Sequence, residues 1–367
     1  MWDALRGIFW FLAGALAGAI VFLTTGASVT ATNYLQALAG ALVAAPFLVC
    51  LHEFGHLIPA LSLGYRPRRF VVWPFVFAVT PQRALNVRYA REFPILGGST
   101  LALPRDFPDL VRRQVMVVAG GPLASILVAA GAFVIAARVH QAWMWGVAIA
   151  AAIMILNVVP SRLKITRNKR VRSDGGLIAD LLLPGPRRDA SRALLRVVAL
   201  QANGNRPREI PEALIRTACS LADRSFEEAN AHYIAYWWTL DSGDLNAARR
   251  LLDHALELLD AAQEHRTVVS VEKAFFTARY DGDAATARSM LIASMKAYVH
   301  RHTRLRALAA TLLAEGKPRE AGRTASAASA ALESCIEDLS KDAERDLLAA
   351  LAHDARTKDE VRPAEQG

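Results

Sequence analysis

Residues 35–63 form an apolar run whose single carboxylate is Glu53. The run exceeds the roughly twenty residues that a helix needs to cross bilayer hydrocarbon. There the backbone must satisfy its own hydrogen bonds, so a lone spanning segment is a helix. Near its C-terminal end the run reads His52-Glu53-Phe54-Gly55-His56. Ionisable groups at membrane depth are costly and mark function. A helix rises about 25 Å from Leu35 to His52 at about 1.5 Å per residue. The cluster therefore falls inside a hydrocarbon layer of about 30 Å, toward the end where the helix leaves it.

Hydropathy divides the chain. All long apolar runs lie before about residue 160, and the remainder is rich in Ala, Leu, Arg, Asp and Glu. Four spans are expected: 7–25, 35–63, 115–137 and a short one over 143–159. The first has a second reading as a signal peptide, since Arg6 precedes it and Gly26-Ala27-Ser28 follow. Its length and Gly14-x-x-x-Gly18 suit a packed helix. Two domains are expected, a membrane core over 1–185 and a helical domain over 186–355. Residues 356–367 are expected to form a disordered tail.

Basic residues set the orientation. The loop 26–34 has no charge, whereas 65–113 carries nine arginines against Glu92, Asp106 and Asp109. Arg162, Lys164, Arg167, Lys169, Arg170 and Arg172 follow the last span. By the positive-inside rule both basic regions and both termini are cytoplasmic. The net charge of +9 is then largely membrane topology, and no nucleic-acid partner is needed to explain it. Cys50, Cys219 and Cys335 are scattered, giving no disulfide framework and no C-x-x-C site.

The spacing H-E-x-x-H sets two histidines on one helix face, where they can share one Zn²⁺, with Glu53 beside them as a proton acceptor. A catalytic zinc usually takes three protein ligands. The candidate third is Asp174, in Ser173-Asp174-Gly175-Gly176. Upstream stand Asn157-Val158-Val159-Pro160 and Ala119-Gly120-Gly121-Pro122, and Gly97-Gly98 with Pro104 beyond.

This set resembles the site-2 protease family of intramembrane zinc metalloproteases. That family pairs H-E-x-x-H in one transmembrane helix with N-x-x-P and D-G later, and the similarity spans residues 35–180. The resemblance implies one Zn²⁺ per chain on His52, His56 and Asp174, with Glu53 catalytic and Asn157 positioning substrate or the transition-state oxygen; a polar residue packing between helices is the other reading of Asn157. One feature departs from the family's commoner form. Thirteen residues, six of them basic, separate Pro160 from Asp174. Either the chain makes an excursion and returns, or Asp174 is not a ligand. A helix N-cap before Gly175 is the other reading of Asp174. For Gly120-Gly121-Pro122 close helix packing is explanation enough.

Residues 70–79 are β-rich, interrupted by Pro74, and too short to span as a helix. A strand or re-entrant hairpin beside the site is one reading, with an edge able to pair with an unwound substrate. An interfacial loop is the other.

In the C-terminal region glycines recur at 204, 243, 282 and 316, spaced 39, 39 and 34. The last three precede alanines at 248, 287 and 321. The pattern loosely resembles tetratricopeptide-type helical repeats, with an irregular bundle as the alternative. His232, His254, His265, His300, His302 and His353 show no metal-ligand arrangement and are expected to be surface or packing residues.

The expectation is therefore an α-helical membrane protein with an all-α cytosolic repeat domain. It would be an endopeptidase cleaving a transmembrane protein substrate within the lipid bilayer, with the repeats engaging a cytosolic protein partner. The alternative is a catalytically silent anchor for the repeat domain. A metal-handling membrane protein is a third reading, disfavoured because a single H-E-x-x-H suits one bound metal rather than a path.

Overall fold

The computed structural model describes residues 31–79, 85–89, 98–139, 141–160, 162–164, 170–259, 264–295, 299–335 and 341–361. The expected span over 7–25, Gly97 and the last six residues of the expected tail lie outside these. The chain divides into two compact units, one through Pro184 and one from Gly185.

The first unit begins with α1 (Ala31–Ser62), followed by four strands: β1 (Arg66–Val72), β2 (Phe75–Val79), β3 (Leu85–Tyr89) and β4 (Gly98–Leu103). Then come α2 (Leu110–Val139) and α3 (Ala142–Met154), which tightens into a 3-10 turn, Ile155–Val158. A two-stranded hairpin of β5 (Arg162–Lys164) and β6 (Arg170–Arg172) leads to α4 (Asp174–Leu182).

Two of these helices are long and apolar enough to cross a membrane, Thr32–Ser62 and Leu110–Val139. They are not core helices of a water-soluble fold. Leu35, Val43, Phe47 and Ile58 on α1, and Leu127 and Val134 on α2, are exposed. An apolar surface of that extent needs a non-aqueous neighbour. The expected fourth span is shorter. The 13 residues of α3 rise only about 20 Å. Pro160, two residues after the 3-10 turn, cannot continue an α-helix.

Helices α1, α2 and α3 pack on one another through small residues. A Cβ at Gly40 would strike the backbone of Trp143, and one at Gly146 the backbone of Ala37. Where hydrophobic burial gives no preference for helix contact over lipid, such close backbone approach supplies the packing energy. At the end of α1, Gly64 takes a left-handed φ of +83° and Arg113 Nη1 donates to the Leu63 carbonyl at 3.1 Å.

The β-rich segment is a hairpin within a four-stranded antiparallel sheet of order β3-β2-β1-β4. Its register sets Val72 opposite Phe75 and Val71 opposite Val76. β4 is an edge strand among the described residues, and it packs against α1.

Among the described residues the second unit is helical: α5 (Pro186–Ala202), α6 (Glu212–Ala218), α7 (Phe226–Asp241), α8 (Leu245–Leu258), α9 (Glu264–Phe276), α10 (Ala284–Ala293), α11 (Arg301–Ala314), α12 (Pro318–Glu333) and α13 (Lys341–Val361). The pairs α7/α8, α9/α10 and α11/α12 are helical hairpins. At their turns Gly243, Gly282 and Gly316 have φ of +86°, +71° and +74°, the left-handed conformation that ends helices. Asp244 and Asp283 cap the return helices, accepting from Ala247 N and Thr286 N at 2.9 and 3.0 Å. The matched alanines 248, 287 and 321 are all buried. Helix α13 runs to Val361, so residues 356–361 are ordered helix where a disordered tail was expected.

A buried ion cluster joins three of these helices. Arg306 on α11 donates to Glu272 on α9 at 2.6 Å and to Glu344 on α13 at 2.8 Å. Its guanidinium lies 4.0 Å from the Phe275 ring centroid. Burial alone would disfavour the charge, but the two carboxylates hold its pKa above the usual arginine range. Arg306→Ala is expected to destabilise this unit by about 3–5 kcal/mol, because it leaves two buried carboxylates uncompensated. Denaturant unfolding monitored by tryptophan fluorescence would measure it.

Candidate active site

The motif helix presents two faces to two different partners. His52 and His56, one turn apart on α1, face α2. Glu53, rotated about 100° from His52, faces β4. Both His52 and Glu53 are buried.

On α2 a stripe at four-residue spacing receives the histidines. The Val117 carbonyl lies 3.0 Å from His56 Nδ1. The Ser125 hydroxyl lies 2.8 Å from His52 Nδ1. Gly121 stands between them, and a Cβ there would overlap the His56 ring. Gly120 instead meets the backbone of Gly55, the glycine of the motif itself. Helix packing therefore accounts for Gly120, while Gly121 makes room for an imidazole. With Nδ1 of each ring donating to an oxygen, both Nε2 lone pairs are free to coordinate.

Asp174 reaches the same point from far along the chain. Its Oδ2 is 3.1 Å from His52 Nε2 and 3.5 Å from His56 Nε2, and the two Nε2 atoms are 3.3 Å apart. Tetrahedral zinc with bonds of about 2.0–2.1 Å sets its ligands about 3.3 Å from one another. The triangle of two imidazoles and a carboxylate thus fits Zn²⁺ in size and in donor chemistry.

The long spacing before Asp174 is absorbed by the β5–β6 hairpin, in which Arg162 pairs with Arg172 and Lys164 with Arg170. The excursion closes where Ser173 Oγ donates to the Val159 carbonyl at 2.7 Å. Ser173 is also the N-cap of α4, its Oγ accepting from Gly176 N at 3.1 Å. Asp174 is therefore not the cap; it occupies the first helical position with its carboxylate turned to the histidines. Gly175 lets α4 approach this closely, since a Cβ there would strike the Val158 carbonyl.

Glu53 is held from the sheet. Thr100 Oγ1 lies 2.7 Å from Glu53 Oε2 and 3.1 Å from the Glu53 carbonyl, so it donates within one helical turn of the histidines. Gly98, two residues earlier on the same face of β4, leaves space for the carboxylate that a Cβ would fill. Asn157 lies in the 3-10 turn Ile155–Val158 and is half-buried. Among the described residues no hydrogen bond joins it to the other four.

Thr100, Ser125 and the Val117 carbonyl escaped the sequence reading, which took Gly121 only as a helix-packing residue. The four-residue spacing of 117, 121 and 125 was a usable signal. A lone threonine in a short strand carried none.

Ser125→Ala should weaken metal affinity or activity about 10–100-fold, the usual cost of losing an outer-shell partner of a ligating histidine. Metal titration of the purified variant would measure it. An unchanged affinity would mean that His52 orientation does not depend on Ser125.

The sequence profile of Peptidase family M50 matches residues 40–337, from the first third of α1 through α12. No curated protein and no solved structure matches the chain at a significant level. With most of its length inside that match, and with H-E-x-x-H and Asp174 both within it, the chain belongs to peptidase family M50, the site-2 protease family of membrane-embedded metalloproteases.

Proposed function

We propose that the protein is an intramembrane zinc endopeptidase that cuts a transmembrane segment of a membrane-protein substrate. The observation that carries this reading is the triangle of His52 Nε2, His56 Nε2 and Asp174 Oδ2, with edges of 3.1–3.5 Å, whose two histidines lie on an apolar helix. One Zn²⁺ per chain, held by these three residues, would supply Lewis-acid chemistry, making water acidic and a peptide carbonyl electrophilic.

The chain's own groups supply the rest. Glu53 is the acid–base group: it takes a proton from the attacking water and returns it to the leaving amine nitrogen. Thr100 holds that carboxylate by one oxygen, leaving the other for the proton. Ser125 and the Val117 carbonyl keep both imidazoles in the tautomer that offers Nε2. Asn157 is assigned to positioning the scissile amide.

A transmembrane substrate must unwind to expose its amide. β4, an edge strand that carries Thr100, gives the unwound segment a backbone ladder beside Glu53. The basic stretches set both termini in the cytoplasm. The helical unit, read as tetratricopeptide-like, recruits a cytosolic protein or regulates access.

The test uses purified protein reconstituted with a labelled transmembrane segment. Cleavage should vanish with a chelator and return with Zn²⁺. A core ending near residue 185 should still bind zinc but cut its native substrate poorly, while residues 190–355 alone should be soluble and helical. Cleavage that persists in chelator would overturn the zinc reading. Undiminished cutting by the core would overturn recruitment.

A further inference from the structure

The helical unit holds a second cluster of metal-ligating side chains that the proteolytic site does not use. Glu228 and His232 stand four residues apart on α7, and His254 stands on α8. The ligand atoms of the three lie within 4.8 Å of one another. We propose that they form a second Zn²⁺ site, which pins α7 to α8.

Each ligand is oriented by a partner. His232 Nδ1 lies 2.8 Å from the Glu228 carbonyl, so it carries the proton and leaves Nε2 free to coordinate. The Glu228 side chain is 6% exposed, and its Oε2 accepts from Asp223 N at 2.8 Å and Arg224 N at 2.6 Å. That fixes the carboxylate and turns Oε1 toward His254, whose Nε2 is 3.5 Å away. Behind His254, Glu257 Oε2 is 3.7 Å from Nδ1, the carboxylate–histidine arrangement that supports ligating imidazoles.

Two imidazoles and one carboxylate suit zinc, a borderline ion, and do not suit Ca²⁺ or Mg²⁺, which take oxygen ligands. The two rings meet edge to face, with centroids 4.5 Å apart. The His254 side chain is 43% exposed. Solvent therefore reaches the cluster, and binding would need the ligand atoms to close from within 4.8 Å of one another to the roughly 3.3 Å separations of bound tetrahedral zinc. The histidines expected to be unrelated surface residues are thus brought together by the α7/α8 hairpin.

The test uses the full chain in detergent carrying His52→Ala and His56→Ala, so that the proteolytic site cannot contribute. After equilibration with Zn²⁺ and removal of excess, this chain should retain about one zinc per molecule. Adding His254→Ala, or separately His232→Gln, should bring it near zero with far-UV circular dichroism unchanged. Co²⁺ should give visible absorption bands of tetrahedral coordination in the first chain and lose them in the others. His254 is partly exposed, so its variant should fold even if His232→Gln does not. Added Zn²⁺ should raise the melting temperature of the chain that keeps the cluster and not that of the His254→Ala chain. No zinc in the doubly substituted chain, or zinc that survives His254→Ala, would overturn the proposal. Neither result bears on the proteolytic site.

Discussion

Glu53→Gln is expected to lower proteolysis about 10²–10⁴-fold, to the edge of detection, while zinc content stays that of the wild type. The substitution keeps the shape of the side chain and an oxygen for Thr100, whose hydroxyl lies 2.7 Å from Oε2. It removes only the ability to accept and return a proton. The proposed metal-binding triangle is His52, His56 and Asp174, so on this reading Glu53 is not needed to hold the ion. Cleavage of a reconstituted transmembrane segment and metal analysis on the same preparation give the two readouts. Full activity in the variant would exclude Glu53 as the acid–base group. Loss of zinc together with activity would place Glu53 among the ligands. Equal inactivity of the wild type under every substrate condition would favour the silent-anchor reading.

Asp174→Ala is expected to cost more metal affinity than the roughly 10–100-fold typical of an outer-shell loss, because it removes one of the three proposed protein ligands. The structure makes this a clean test. Ser173, not Asp174, caps α4 through its hydroxyl, so the helix start survives the substitution. His52 and His56 remain held by Ser125 and the Val117 carbonyl on α2, which does not involve α4. The fold should therefore persist while a two-histidine remnant binds zinc weakly. Competition with a calibrated chelator would measure the change. Affinity equal to the wild type would move the third ligand elsewhere.

These expectations depend on residues that were legible to different degrees. The H-E-x-x-H face could be read directly, because residues four apart on a helix share a face whatever surrounds them. The β-rich break after α1 and the hairpin glycines 243, 282 and 316 were legible for the same reason: local backbone preference writes itself into short patterns. Asp174 was visible as a candidate, yet its two roles could not be separated from sequence. The distinction rests on which neighbouring residue supplies the cap, and on a β5–β6 hairpin that returns the chain to Val159.

Other features had no local signature. Thr100 becomes a partner of Glu53 only because β4 lies on the outer side of β1 and against α1. Arg306 is an ordinary helical arginine until α9 and α13 each set a glutamate beside it. His254 joins Glu228 and His232 only through the antiparallel return of α8 on α7.

What each element is could be read from the local sequence: an apolar helix with two histidines and a glutamate, a β-rich insert, and helices that turn at recurring glycines. Those are consequences of side-chain periodicity and backbone propensity, which act over a few residues. Which of those side chains meet is a property of the folded chain alone. A contact between residues 52 and 174, or 53 and 100, depends on helix crossings that glycine pairs permit and on strand order, and neither leaves a trace within reach of a local pattern.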